Sequence, residues 1–227
     1  RLPNIGISYA RLLLSDPIKT RTDFGLQENR VIYLSCQSLF KYLPQYDYIF
    51  VEIAQQVPSS QIIFLSHPNP KITKLFRQRL EKAFLSVGLS SEQFCKILPR
   101  LDEEDYININ QLSDVFLDTF SWSGGITTLK AIACHLPVVT CPGQFMRGRH
   151  SYAILRMLGI SETIARNEVE YIDIAVRLGL DLTWRQDIVN RIANSQDRLY
   201  GDRECVSALE AFYQQAVRDY GLAVGEC

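Results

Sequence analysis

Three stretches of this chain carry side chains suited to holding an anion. Lys41 lies in Gln37-Ser38-Leu39-Phe40-Lys41-Tyr42-Leu43-Pro44, just past a short apolar run. A cation there can face a phosphate, and a solvated loop lysine is the other reading of the same position. The second stretch runs from Thr119 through Trp122, Ser123, Gly124, Gly125, Ile126, Thr127 and Thr128 to Lys130. Gly124 and Gly125 let backbone N–H groups approach an anion, and Thr127 and Thr128 add hydroxyl donors. The positive end of a helix dipole would reinforce both. A turn followed by a helix cap explains the same residues without a ligand. In the third stretch, Arg147, Arg149 and His150 sit at a helix start, where two cations oppose the dipole. They ask for an anion or an acidic neighbour, or they are a surface pair.

Other candidates have plainer explanations. His67 precedes Pro68-Asn69-Pro70 and reads as a turn histidine. Asp102 and Glu104 resemble an acidic pair that holds a metal-bound diphosphate, but the first turn of a helix accounts for them. Neither GxGxxG after the first strand nor GxxxxGK[ST] occurs, so dinucleotide and P-loop readings lose their support. Six cysteines (36, 95, 134, 141, 205 and 227) form no CxxC pair. They suit free thiols in a reducing, cytoplasmic compartment better than zinc ligands.

The elements that position these residues follow from periodicity. Val31–Leu34, Gln61–Leu65, Phe94–Leu98, Asp114–Asp118 and Pro137–Cys141 are short apolar runs of buried-strand type, and Glu162–Ala165 is a candidate sixth strand. Helical spacing marks Tyr48–Val57, Ile72–Val87 (ended by Gly88), Thr127–His135 and Gly148–Leu158. Asp102 to Asp105 open a further helix. Three helices finish the chain. Asn167 caps the first, Thr183 with Gln186 reads as a capping box for the second, and Val206, Leu209, Phe212, Tyr213 and Ala216 stripe the third. Strands alternating with helices predict an α/β fold, a doubly wound Rossmann-like parallel sheet with extra C-terminal helices. Residues 1–30 read as a connector, 31–200 as the Rossmann-like domain, and 201–227 as a helix packing back on it or on another part of a longer chain. Ligands of such sheets bind beyond the carboxyl ends of the strands, which is where the three stretches fall.

Composition sets the outer bounds. The chain has 227 residues, 24 Lys+Arg against 25 Asp+Glu, and a net charge of -1. That disfavours a nucleic-acid partner or a membrane surface. No apolar run approaches the roughly 20 residues of a membrane helix. The chain begins at Arg1, as a piece of a longer polypeptide would.

Six segments taken in order resemble one family. They are Val31–Pro44, Leu98–Tyr106, Asp114–Thr128, Leu136–Gly143, Arg147–His150 and Glu170–Leu180. Together they resemble the C-terminal half of the catalytic region of O-GlcNAc transferase-like enzymes and their bacterial relatives, glycosyltransferase family 41. The resemblance implies the GT-B architecture, with a UDP-sugar held mainly by this half. It implies a protein acceptor, and tetratricopeptide repeats with another α/β half elsewhere in the full-length chain. By the same resemblance Lys41 contacts the diphosphate, Ser38 matches a polar donor contact, and Tyr106 matches an aromatic-type residue on the uracil. Gly124, Gly125 and Thr127 lie by the diphosphate and ribose. A family carboxylate that binds the ribose hydroxyls is replaced by Lys130, which has no hydrogen-bond acceptor.

The chemistry implied is inverting and metal-independent. A departing diphosphate gains charge, and a lysine with helix-start N–H groups can neutralise it, so no metal or further cofactor is expected. Two glutamates eight residues apart, typical of many retaining GT-B enzymes, are replaced here by Trp122 and Lys130. A sugar-nucleotide 2-epimerase and a non-catalytic nucleotide-binding module are the competing readings.

Overall fold

The structure, a computed structural model, describes residues 2–225; Cys227 lies outside them. Its strands are β1 (Val31–Leu34), β2 (Ser60–Leu65), β3 (Cys95–Leu98), β4 (Val115–Leu117) and β5 (Val138–Val139). All pair in parallel, in the order β3-β2-β1-β4-β5. Parallel strands need crossovers, and these are supplied by α1 (Asp47–Gln56), α2 (Pro70–Leu85), α3 (Ser91–Phe94), α4 (Glu103–Leu112) and α5 (Ile126–Ala133). After β5 come α6 (His150–Leu158), α7 (Glu168–Leu180), α8 (Leu182–Ser195) and α9 (Glu204–Gly225).

The chain winds outward from β1 to β3, then returns to β4 and continues to β5. Right-handed crossovers put the helices of these two halves on opposite faces. Accordingly α1 packs against α2 and α7, and α4 packs against α5. The strands are covered on both sides, and Ile32, Ile62, Ile63, Phe64, Val115, Phe116 and Val138 are fully buried. Helix α7 comes close enough to β1 for the Tyr33 hydroxyl to donate to the Ala175 carbonyl at 2.9 Å. Gly179 makes room for this approach, since a Cβ there would sit 2.1 Å from the Tyr33 hydroxyl oxygen.

Several sequence expectations are adjusted. Segment 162–165 contributes only one bridge, Ile164 to Thr140, rather than a strand. The N-cap of α8 is Asp181, whose carboxylate accepts from the Trp184 N–H at 2.9 Å, and not the Thr183–Gln186 box. Asp181 also ends α7, so the second helix starts two residues earlier than its polar pattern suggested. Asn167 caps α7 as expected, accepting from the Glu170 N–H at 2.9 Å. The stretch before α6 is a separate 3-10 turn, Met146–Gly148. Part of the 1–30 segment is docked. Phe24 and Leu26 are buried, and Arg21 donates to the Leu112, Glu28 and Arg30 carbonyls and to Asp114. The apolar stripe of α9 is not buried on this domain: Phe212 and Tyr213 are 62% and 59% exposed.

Candidate functional site

In this strand order the direction of winding reverses between β1 and β4, which opens a crevice at their carboxyl ends. The segment after β1 turns sharply around Tyr42. The Tyr42 hydroxyl donates to the Ser35 carbonyl and accepts from the Gln37 N–H at 3.0 Å. A 3-10 turn, Leu39–Lys41, then aims Lys41 back toward β4. The Lys41 ammonium donates to the Gln37 side-chain carbonyl at 2.8 Å, and the Gln37 amide donates to the Thr127 hydroxyl at 2.6 Å. Gln37 thereby ties the β1 tip to the first turn of α5, whose leading N–H groups have no intrahelical acceptor. No carboxylate pairs with Lys41 among the described residues. Partial burial lowers its ammonium below the ordinary lysine value, with the charge of Asp118 acting in the opposite direction.

These groups line an open pocket of about 400 Å³, together with Cys36, Ser38, Leu39, Leu65, Ser66, His67, Pro68 and Arg100. The lining holds the cationic side chains of Lys41 and Arg100 and no carboxylate, although the whole chain carries a net charge of -1. An anionic ligand with a polar, partly apolar body suits such a lining.

The turn after β4 is fixed by a buried carboxylate that the sequence reading passed over. Asp118 accepts from the Gly124 N–H at 2.7 Å, the Ser123 hydroxyl at 2.6 Å and the Thr140 hydroxyl at 2.8 Å. Ser151 links Ser123 at 2.9 Å to Thr128 at 2.8 Å. The Tyr171 hydroxyl braces the Asp118 carbonyl at 2.8 Å. Burial raises the Asp118 carboxyl above its usual range, opposed by these hydrogen bonds. A signal was present in the sequence, since an aspartate closing an apolar strand before a Ser-Gly turn needs partners when buried.

The expected site residues therefore divide. Ser38, Lys41 and Thr127 share the pocket. Gly124 borders Thr127 and Gln37, but its N–H is committed to Asp118 and does not face a ligand. Thr128 is fully buried within the Asp118 network, so its hydroxyl is not a ligand donor. Gly125 has open space around its Cα and lies beside a different hollow, near Ile5 and His150. Tyr106 is 8% exposed, its hydroxyl lacks a partner, and the Lys130 ammonium lies 5.2 Å from its ring centre. In this arrangement the ring is not offered to a nucleobase. Lys130 itself is held by Glu103 at 2.6 Å, away from the pocket lining.

The remaining candidates have local roles. The Arg149 guanidinium donates to the Gly143 carbonyl at 2.8 Å and stacks on Tyr152, while Arg147 stacks on Phe145. His67 accepts from the Asn69 N–H at 3.0 Å, as a turn histidine should, yet also lines the pocket. Asp102 caps α4, accepting from the Asp105 N–H at 2.8 Å. Among the described residues no three His, Cys, Asp or Glu side chains gather as metal ligands, and no helix is long and apolar enough to cross a membrane. Gln37 and Arg100 are the pocket residues that sequence reasoning missed.

The model of glycosyl transferase family 41 matches residues 12–206. The chain belongs to glycosyltransferase family 41. It is 27% identical over 183 residues to a probable UDP-N-acetylglucosamine–peptide N-acetylglucosaminyltransferase SPINDLY of Solanum lycopersicum, covering 81% of this chain and 19% of that protein. It is 26% identical over 166 residues to the UDP-N-acetylglucosamine–peptide N-acetylglucosaminyltransferase of Caenorhabditis elegans, covering 72% and 14%. A K341M mutant of Thermobaculum terrenum O-GlcNAc transferase superposes with a TM-score of 0.72 at 26% identity, over 85% of this chain and 37% of that one. This family 41 chain thus spans about a fifth of the length of the first of these relatives. A trehalose-phosphate synthase from Burkholderia xenovorans, at 12% identity and TM-score 0.59, shares the fold.

Proposed function

We propose that this family 41 chain is the donor-binding half of an inverting, metal-independent protein O-glycosyltransferase that uses a UDP-sugar, UDP-GlcNAc in the first instance. The observation that carries the reading is the bridge by which Gln37 holds Lys41 and Thr127 at one carboxylate-free pocket. When an acceptor hydroxyl attacks the anomeric carbon, the bond to the diphosphate breaks and its electron pair stays on the leaving oxygen. Lys41, the Thr127 hydroxyl and the leading N–H groups of α5 are preorganised where that charge grows. Fixed donors of this kind need no reorganisation during the reaction, and removing one typically costs roughly 100- to 1,000-fold in rate. The group that takes the acceptor proton, and the acceptor groove, are assigned to another half of the catalytic region. Tetratricopeptide repeats are expected upstream, and neither nucleic acid nor a membrane is a partner. Free thiols at Cys36, Cys95, Cys134, Cys141 and Cys205 favour a cytoplasmic setting.

The reading is tested with the full-length protein, UDP-GlcNAc and candidate protein acceptors. Mass spectrometry should show UDP release together with hexosamine added to protein. UDP-sugar recovered only as an epimer would assign the pocket to a 2-epimerase instead. A non-catalytic binding module is the second reading. It is favoured by Lys130, which pairs with Glu103 where the family places a ribose-binding carboxylate. UDP-GlcNAc left intact by a protein that still binds UDP would select it.

A further inference from the structure

Trp122 is an exposed aromatic on a rigid mount. Trp122 is 48% exposed, and Phe40, next to Lys41 in the chain, is 63% exposed. Isolated exposed aromatics are common on protein surfaces and by themselves say little. Here the backbone has been fixed to present one. Ser121 adopts a left-handed φ of 67°, which costs energy for a residue with a Cβ. The Thr119 hydroxyl donates to the Trp122 carbonyl at 2.7 Å, and the Trp122 N–H donates to the Phe120 carbonyl at 2.8 Å. The Ser123 N–H is held by the Arg147 carbonyl at 2.8 Å. The turn is locked on both sides of the indole, and about half of the side chain stays open to solvent.

What the ring faces is informative. The Lys41 ammonium lies 5.9 Å from its centre. If Lys41 meets the diphosphate, the atom bonded to the outer phosphate is the anomeric carbon of the sugar. The pyranose must then lie within one ring's reach of Lys41, and the indole, 5.9 Å from that ammonium, falls within the same reach. The hydrogens on a pyranose ring carry partial positive charge along a flat C–H face. An indole face attracts such a surface for the reason it attracts cations, and it adds apolar contact.

Resting on the donor reading above, we infer that Trp122 is a specificity-determining platform on which the C–H face of the donor's hexopyranose stacks. Lys41 and Thr127 hold the diphosphate, and the indole holds the sugar. The platform serves the transferred ring alone, so it separates a sugar nucleotide from the bare nucleotide.

The test is calorimetry of UDP and UDP-GlcNAc with the wild-type chain, Trp122→Ala and Trp122→Phe. The alanine variant should bind UDP-GlcNAc about tenfold more weakly and UDP within about twofold of wild type. The phenylalanine variant, which keeps a ring face, should recover most of the loss. Equal weakening for both ligands would mean that Trp122 acts through Lys41 and would overturn the inference. So would unchanged binding of both, which would leave the ring for a protein surface instead. If the wild type binds UDP through Lys41 while neither Trp122 variant moves the sugar nucleotide, this inference fails alone. A wild type that binds no UDP sinks the donor reading and this inference together.

Discussion

At the residue scale the account depends on charge at Lys41. Its ammonium is only partly solvated and makes no ion pair, and desolvation lowers its pKa below the ordinary lysine value, opposed by the charge of Asp118. The sign of the consequence follows directly. A lysine with a lowered folded value loses its proton earlier as pH rises, so affinity for a diphosphate should weaken before an ordinary lysine would titrate. Arginine stays charged throughout this range. UDP affinity measured from about pH 8 to about pH 10 should therefore fall more steeply for the wild type than for Lys41→Arg. Comparing the two proteins cancels the nucleotide's own titration, and parallel curves would mean that Lys41 stays outside the binding step. Lys41 was legible because a cation past the end of a strand is meaningful in this fold. Gln37 was not, because a glutamine in a loop has no pattern until Thr127 is known to lie beside it. The surroundings of Tyr106 were not legible for a related reason. Its counterpart role needs an open ring face, and a lysine at position 130 covers that face here.

At the element scale the turn between β4 and α5 does the positioning. Its two glycines look equivalent in the sequence but are not equivalent in space. A Cβ at Gly124 would lie 2.5 Å from the Thr127 hydroxyl, 2.6 Å from the Gln37 amide and 2.6 Å from the Thr128 hydroxyl. Those atoms are tied into hydrogen bonds on short or buried side chains and have little freedom to move. Gly125 meets nothing within 4 Å and has a negative φ of -97°. Gly124→Ala should therefore destabilise the fold by about 1–3 kcal/mol in urea denaturation and impair UDP binding. Gly125→Ala should stay within about 0.5 kcal/mol of wild type. Similar losses for both would mean that the turn is not organised around Gly124. Periodicity located this helix and the strand before it, since both carry strong apolar patterns. It did not show that Thr128 points inward, because threonine suits a helix's first turn whether its hydroxyl faces solvent or a buried serine.

At the scale of the whole molecule, a nearly neutral chain concentrates unpaired positive charge at one edge of its sheet. The winding order produces this. Strands that run outward from β1 and then from β4 leave a crevice between them, and both tips carry donors into it. Alternation of apolar runs and amphipathic helices made the sheet and its handedness readable from residue types alone. The long-range ties were not readable. Asp114 binds Arg21 at 2.9 Å and Arg185 at 3.3 Å, joining the first residues of the domain to α8, and such pairs leave no local signature. The same holds for the α9 stripe, whose period is helical but whose exposure depends on what else the molecule packs against it. The most direct measurement is calorimetric titration of UDP into the wild-type chain and into Lys41→Ala. The account predicts saturable binding by the wild type and affinity about tenfold or more weaker in the variant, as loss of a charge-assisted contact requires. Equal affinity in the two proteins would contradict it.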